Sequence, residues 1–184
     1  HVDVHVVGPF LILAAAITLR QEHHVNMAFN YDRKEAKTHG EASRGKSIFV
    51  NQALFDGCRI FVVDDVATSM GTKLELLEKI DEEARRRGMS FDVTGIGIGI
   101  DREQTTAVYD QEGQVVLGQR GENAIRDFVQ KTGVPVYPVA GIREVVEFLY
   151  EEKVPVMIRG KRVPMDVNTK ETFDTYLETY GTCG

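Results

Sequence analysis

The chain has 184 residues, 42% of them hydrophobic, with a net charge of −6 at neutral pH. That length suits one α/β domain with a real core and is too short for two ordinary ones, while the acidic balance excludes a general nucleic-acid binder, which needs clustered Lys and Arg. The two cysteines, Cys58 beside a predicted strand and Cys183 near the C-terminus, suggest reduced thiols in a cytoplasm rather than a disulfide framework.

Residues 2–7 predict a first strand, ended by Gly8-Pro9, and residues 10–19 a short apolar helix that must be buried. The longest uncharged apolar stretch, residues 4–19, falls short of the roughly 20 residues that a membrane helix needs, so no membrane span and no signal peptide are expected. The sequence opens at His1 without Met and enters a strand almost at once, as a chain trimmed at its start would. Residues 25–31 alternate well enough for a second strand, which runs into residues 33–46. That segment holds five cations, one His and two glycines in fourteen residues, so it cannot bury itself and is expected to move when no anion is bound.

Ile60, Phe61, Val62, Val63 and Val66 form a β-prone apolar run after the turn signal Asp56-Gly57, as a strand buried on both faces would. Asp64 and Asp65 sit where that strand should end. Thr68, Ser69, Gly71 and Thr72 follow, and then residues 73–87 carry Leu74, Leu77, Ile80 and Ala84 at helical spacing, with Gly88 as the stop. The order is strand, acidic pair, hydroxyl-and-glycine loop, helix. Unpaired N–H groups at the start of such a helix, and the positive end of its dipole, make the 68–72 loop a plausible anion site. Two carboxylates beside it would repel a phosphate, but they can accept hydrogen bonds from sugar hydroxyls or hold a hydrated Mg²⁺. Ribose plus phosphate satisfies both halves. The Gly-Lys-Ser/Thr of a P-loop and the G-x-G-x-x-G of a dinucleotide site are missing.

The next strand is predicted over residues 91–100. Its Gly95, Gly97 and Gly99 share one bare face, suited to close packing by a helix or neighbouring chain rather than to phosphate binding. It ends at Asp101-Arg102, at a carboxyl end where open parallel sheets place ligands. Residues 105–109 and 114–117 predict a hairpin, 122–131 a helix, and 134–139 a strand that Pro135 and Pro138 confine to an edge or to partial pairing. Residues 143–150 predict a helix, 154–158 and 162–165 a second hairpin, and 169–180 a closing helix with Phe173, Tyr176, Leu177 and Tyr180 on one stripe. The fold class is therefore α/β, a mostly parallel central sheet flanked by helices, with added hairpins and a C-terminal helix.

Val62-Val63-Asp64-Asp65-Val66-Ala67-Thr68-Ser69-Met70-Gly71-Thr72 resembles the phosphoribosyl pyrophosphate (PRPP) signature of type I phosphoribosyltransferases. Tyr31-Asp32-Arg33-Lys34-Glu35-Ala36-Lys37-Thr38-His39-Gly40-Glu41 resembles the mobile catalytic loop of the orotate branch of that family. With Asp101-Arg102-Glu103-Gln104 and residues 134–149, the likeness runs in order over most of residues 2–150. Residues 1–150 are thus expected to form the phosphoribosyltransferase core, and residues 151–184 an extension of the same domain beyond the family's usual ending.

The resemblance implies Mg²⁺-dependent transfer of the phosphoribosyl group from PRPP to a nucleobase nitrogen, orotate first among the bases, in pyrimidine nucleotide biosynthesis. It implies catalytic roles for Lys37, His39 and Asp65. PRPP contacts are implied at Arg33, Lys34, Lys37, His39, Asp64, Asp65, Val66, Ala67, Thr68, Ser69, Met70, Gly71 and Thr72, and nucleobase contacts at Thr68 and Arg102. Mg²⁺ would be held mainly through PRPP, with a place near Asp64 open. A homodimer with shared active sites is implied as well. Phe10, Leu11 and Met70 depart from the family's small residues at their positions. They leave open a second function, a PRPP- or nucleotide-sensing regulatory protein on the same fold; an adenine or hypoxanthine-type transferase is a third.

Overall fold

A computed structural model describes residues 2–6, 9–32, 49–50 and 53–182. Along the chain come β1 (Val2–Val6), α1 (Pro9–His23), β2 (Phe29–Tyr31), β3 (Cys58–Ala67), α2 (Gly71–Arg87), β4 (Phe91–Asp101), α3 (Ala124–Thr132), β5 (Val136–Gly141), α4 (Ile142–Glu151), β6 (Val156–Ile158), β7 (Lys161–Val163) and α5 (Val167–Tyr180). The sheet order is β2-β1-β3-β4-β5, with β1 parallel to β2 and to β3, and helices flank this parallel sheet as the alternating pattern predicts. β5, which carries Pro138, lies at the sheet edge, where a missing N–H is tolerated. No described helix is long and apolar enough to cross a membrane.

The chain divides into two compact units: His1–Asp65, Gly71–Gly99 and Gly133–Tyr137 form the first, and Val66–Met70, Ile100–Thr132 and Pro138–Gly184 the second. In the first unit, β3 extends to Ala67, so Asp64 and Asp65 lie within the strand rather than at its end. Burial along β3 alternates: Cys58, Ile60, Val62 and Asp64 are buried, Phe61 and Val63 half-buried, and Arg59 and Asp65 exposed. The expectation of a strand buried on both faces thus holds for one face only.

Helix α1 runs four residues past its expected end, and it is not buried as expected. Ile12 packs against Met27, Phe29 and Val63, but Leu11, Leu13 and Ile17 stay 39, 44 and 46% exposed. A helix that is apolar on all sides can lay only one stripe on its own sheet. The second strand shrinks to three residues, Phe29–Tyr31. The buried stripe of α2 is Lys73, Leu76, Ile80 and Glu83, with Leu74, Leu77 and Ala84 half-buried. The stripe is rotated from the all-apolar one because ion pairs admit two charged residues, Glu83 through Arg86 and Lys73 through Asp64. Gly88, at φ +63°, stops the helix, and Met89 N–H bonds the Ala84 carbonyl in a Schellman arrangement.

The glycine face of β4 is a packing surface. A Cβ on Gly95 would come within 2.8 Å of the Tyr137 ring and 3.0 Å of Phe61, and one on Gly97 within 3.0 Å of Phe61. The two rings stack at 6.2 Å between centroids, so aromatic side chains of this chain cover the bare backbone.

In the second unit the hairpin over residues 105–117 is reduced to one antiparallel bridge, Tyr109↔Val115, closed by a turn with Gly113 at φ +78°, and Thr105 bridges Asn123 instead. β6 and β7 form a two-stranded antiparallel sheet of their own, turned by Arg159 and Gly160, both at positive φ as a type I′ turn demands. Asp166 caps α5 by accepting from Thr169 N–H at 2.8 Å, so that helix starts two residues earlier than its apolar stripe suggests. Lys170 ties α5 to α4 through Glu147, at 2.9 Å.

Candidate functional site

The acidic pair splits across the pleat of β3. Asp65 is exposed, whereas Asp64 is 5% exposed and both its oxygens are engaged. Its Oδ1 accepts the N–H of Asp65 at 3.0 Å, and its Oδ2 meets the ammonium of Lys73, itself 4% exposed, in a close ion pair. Lys73 is the third residue of α2, whose first turn has no acidic side chain. The sequence reading does not single out Lys73; the signal available was its place three residues before Leu76 and seven before Ile80, on the buried stripe. Gly99 completes this corner, because a Cβ there would stand 2.8 Å from the Asp65 carbonyl oxygen.

Gly71 and Thr72 open α2 in the first unit, and the Thr72 side chain is exposed. Thr68 and Ser69, in the second unit, are exposed on the bend before it. Met70 is buried, with φ +61°, a left-handed conformation that favours glycine. Val66 is half-buried and Ala67 buried.

Arg102 lies in the second unit too, where its N–H donates to the Ala67 carbonyl at 3.3 Å, which sets it beside the Thr68 bend. Its guanidinium is exposed, and among the described residues no carboxylate pairs with it. Glu103 is taken up by Arg143, whose N–H it accepts at 2.8 Å, and Asp101 accepts the N–H of Glu103 at 2.8 Å. Burial pushes the Asp101 carboxyl above the ordinary carboxylate value, opposed by that N–H bond and reinforced by the charge of Glu103.

Arg33, Lys34, Lys37 and His39 lie outside the described residues, as do Cys183 and most of the polar segment. The segment's two ends are described and meet: Asp32 bridges Phe49 in antiparallel fashion, Val50 N–H donates to the Tyr31 carbonyl at 3.1 Å, and Lys79 of α2 holds Asp32 at 2.9 Å. No group of three or more His, Cys, Asp or Glu that could hold a metal occurs among the described residues.

No protein-family model matches the chain. Curated proteins named orotate phosphoribosyltransferase do. The one from Bifidobacterium adolescentis is 27% identical over 176 residues, covering 92% of this chain and 63% of that protein. The one from Clostridium acetobutylicum is 28% identical over 171 residues, covering 93% and 65%. The chain thus spans just under two thirds of the length of these relatives. Among solved structures, orotate phosphoribosyltransferase from Francisella tularensis superposes with a TM-score of 0.58 at 17% identity, over 98% of this chain and 70% of that one. UMP synthase from Leishmania donovani gives a TM-score of 0.59 at 16% identity, over 97% and 29%. Sequence and fold together relate the chain to the orotate phosphoribosyltransferases and assign it the type I phosphoribosyltransferase fold.

Proposed function

We propose that the protein transfers the phosphoribosyl group of PRPP to orotate and releases pyrophosphate, as an enzyme of pyrimidine nucleotide biosynthesis. One observation carries this reading: an exposed carboxylate on β3 is followed by exposed hydroxyls and the N-terminus of α2, an order suited to ribose and 5′-phosphate, in a chain similar to proteins named for that reaction.

Departure of pyrophosphate leaves positive charge on the sugar and negative charge on the leaving oxygens, and catalysis needs charge fixed on both sides beforehand. Asp65 favours the cationic sugar and accepts its hydroxyls. Thr68, Ser69 and Thr72, with the N–H groups from Val66 to Thr72, hold the 5′-phosphate. Arg33, Lys34, Lys37 and His39 neutralise pyrophosphate, and excluding water from the site removes a competing nucleophile. Arg102 and Thr68 orient the base. Mg²⁺ would be carried mainly on the phosphates of PRPP with water around it; the exposed Asp65 carboxylate is the better placed of the pair to meet it, since Asp64 is bonded to Lys73. When bound, Mg²⁺ supplies positive charge to the leaving group.

The exposed leucines and Ile17 of α1 suit burial against a second copy, in a homodimer with shared active sites. A cytoplasmic setting, in which the thiol of the buried Cys58 stays reduced, is part of this reading. Residues 1–150 act as the catalytic core and residues 151–184 as an extension of it. Met70 favours a rival, binding without turnover: a buried side chain in a left-handed conformation stiffens the loop that must close on phosphate. A turnover assay with PRPP, Mg²⁺ and a panel of nucleobases tests both. Orotidine 5′-phosphate formed from orotate and not from purines supports the enzyme; PRPP binding without product from any base supports the sensor.

A further inference from the structure

Glu103, in the second unit, has a left-handed backbone at φ +50°, which a residue other than glycine keeps only where its surroundings hold it. Both its backbone groups and its carboxylate are engaged. The Glu103 N–H donates to Asp101 Oδ1 at 2.8 Å, its carbonyl accepts the Thr182 N–H at 2.7 Å, and its carboxylate accepts the Arg143 N–H at 2.8 Å. Gly141 precedes α4 and has no side chain to cap it, so the Glu103 carboxylate takes that place at the positive end of the helix. Glycine is needed there, because a Cβ on Gly141 would stand 2.8 Å from the same carboxylate. Arg143 also meets Glu103 through its guanidinium, at 3.7 Å, and donates from Nη2 to the carbonyls of Leu177 and Thr182, at 3.3 Å each. The last turn of α5 has no basic residue of its own, and Arg143 supplies one. Residues after α5 thereby join the turn: Gly181 bridges Gln104, and Thr105 N–H donates to the Tyr180 carbonyl at 2.9 Å.

Arg102 is the residue that these contacts bracket. The peptide before it is held by its own N–H on the Ala67 carbonyl, and the peptide after it by the Glu103 N–H on Asp101. Two fixed peptide planes leave φ and ψ of the residue between them no freedom, so the direction of its side chain is set. We propose that Arg143 is a positioning residue for base recognition: through Glu103 it holds the turn that aims Arg102, and it makes Thr182 part of that turn. The inference rests on the reading of Arg102 as a base-binding residue and adds the elements that orient it. The competing account is a tie between α4 and α5 that affects stability and nothing else.

Five variants decide it: Arg102→Ala, Glu103→Ala, Glu103→Gln, Arg143→Leu and Thr182→Pro, each checked for folding by circular dichroism and urea melting. Calorimetry then compares orotidine 5′-phosphate with ribose 5-phosphate, two ligands that share the phosphoribosyl part and differ by the base. Arg143→Leu and Glu103→Ala should each weaken orotidine 5′-phosphate by about tenfold and leave ribose 5-phosphate within about twofold, the cost of a misaimed guanidinium. Glu103→Gln keeps an oxygen for the Arg143 N–H and should recover most of what Glu103→Ala loses. Thr182→Pro deletes the N–H on the Glu103 carbonyl and should weaken orotidine 5′-phosphate alone, by about threefold. If Arg143→Leu and Glu103→Ala do not fold, Thr182→Pro carries the test. A wild-type preference for orotidine 5′-phosphate in the folded variants, or equal losses for both ligands, would overturn the inference. Arg102→Ala keeps the underlying reading separate: if it too retains the wild-type preference, or if wild-type protein has none, the base assignment itself fails and the inference with it.

Discussion

Gly99 on β4 leaves its missing Cβ to the carbonyl of Asp65 on β3, which would lie only 2.8 Å from such an atom. The atom in the way is backbone, so the neighbour cannot step aside by a rotamer change. Gly99→Ala must therefore push the strand that carries the exposed carboxylate. The expected outcome is a loss of about 1–3 kcal/mol in urea unfolding, as for overpacked cores, together with weaker PRPP binding. An alanine variant with wild-type stability and affinity would show that β3 yields at no cost.

Arg102 is free of both flanking carboxylates, since Glu103 goes to Arg143 and Asp101 to the Glu103 N–H. A forked, always-charged donor with no carboxylate partner among the described residues is suited to an anionic, carbonyl-rich base. Arg102→Ala should raise the Michaelis constant for orotate far more than that for PRPP, by about 1.5–3 kcal/mol in free energy. Equal effects on both substrates, or none, would remove Arg102 from base selection.

The proposed homodimer with shared sites predicts complementation. Lys37→Ala and Asp65→Asn proteins, each inactive alone, should regain activity when their subunits exchange, because one mixed site would combine an intact loop with an intact strand. Verified mixed dimers that stay inactive would place loop and strand of each site on one subunit.

Asp101 gives a pH signature. Its folded carboxyl titrates above the ordinary value, so its contribution to stability is fully present below the unfolded value near 4 and is lost as pH rises through the folded one. Asp101→Asn keeps an oxygen for the Glu103 N–H and carries no charge to bury. Relative to wild type, the variant should gain stability as pH rises through that window and hold a constant difference above it. Urea midpoints between pH 3 and 8, roughly spanning the window, would show this crossing; parallel curves would mean that burial does not penalise the Asp101 charge.

Met70 combines a left-handed backbone with a side chain only 2% exposed. Glycine would relieve about 1–2 kcal/mol of backbone strain but empty a buried site that costs about 2–5 kcal/mol for Met→Ala. Met70→Gly should therefore destabilise by about 1–3 kcal/mol on balance, measured by chemical denaturation. A stabilised variant would mean that strain outweighs packing there.

Local chemistry made much of this protein legible from its sequence. The order of strands and helices, the stop at Gly88, the edge placement of a Pro-bearing strand and the strand–loop–helix run around the acidic pair each depend on residues close together in the chain, whose propensities act over a few positions. The tertiary structure alone decided which face each element shows. Asp64 and Asp65 are chemically identical and adjacent, and only the layer against β3 makes one a buried partner of Lys73 and the other an exposed acceptor. The buried stripe of α2 likewise runs through Lys73 and Glu83, which hydrophobic periodicity cannot foresee because an ion pair offsets their burial only once the partner has been brought within reach. The covering of Gly95 and Gly97 by Phe61 and Tyr137 is of the same kind: three strands must pair before two rings can meet over a bare backbone.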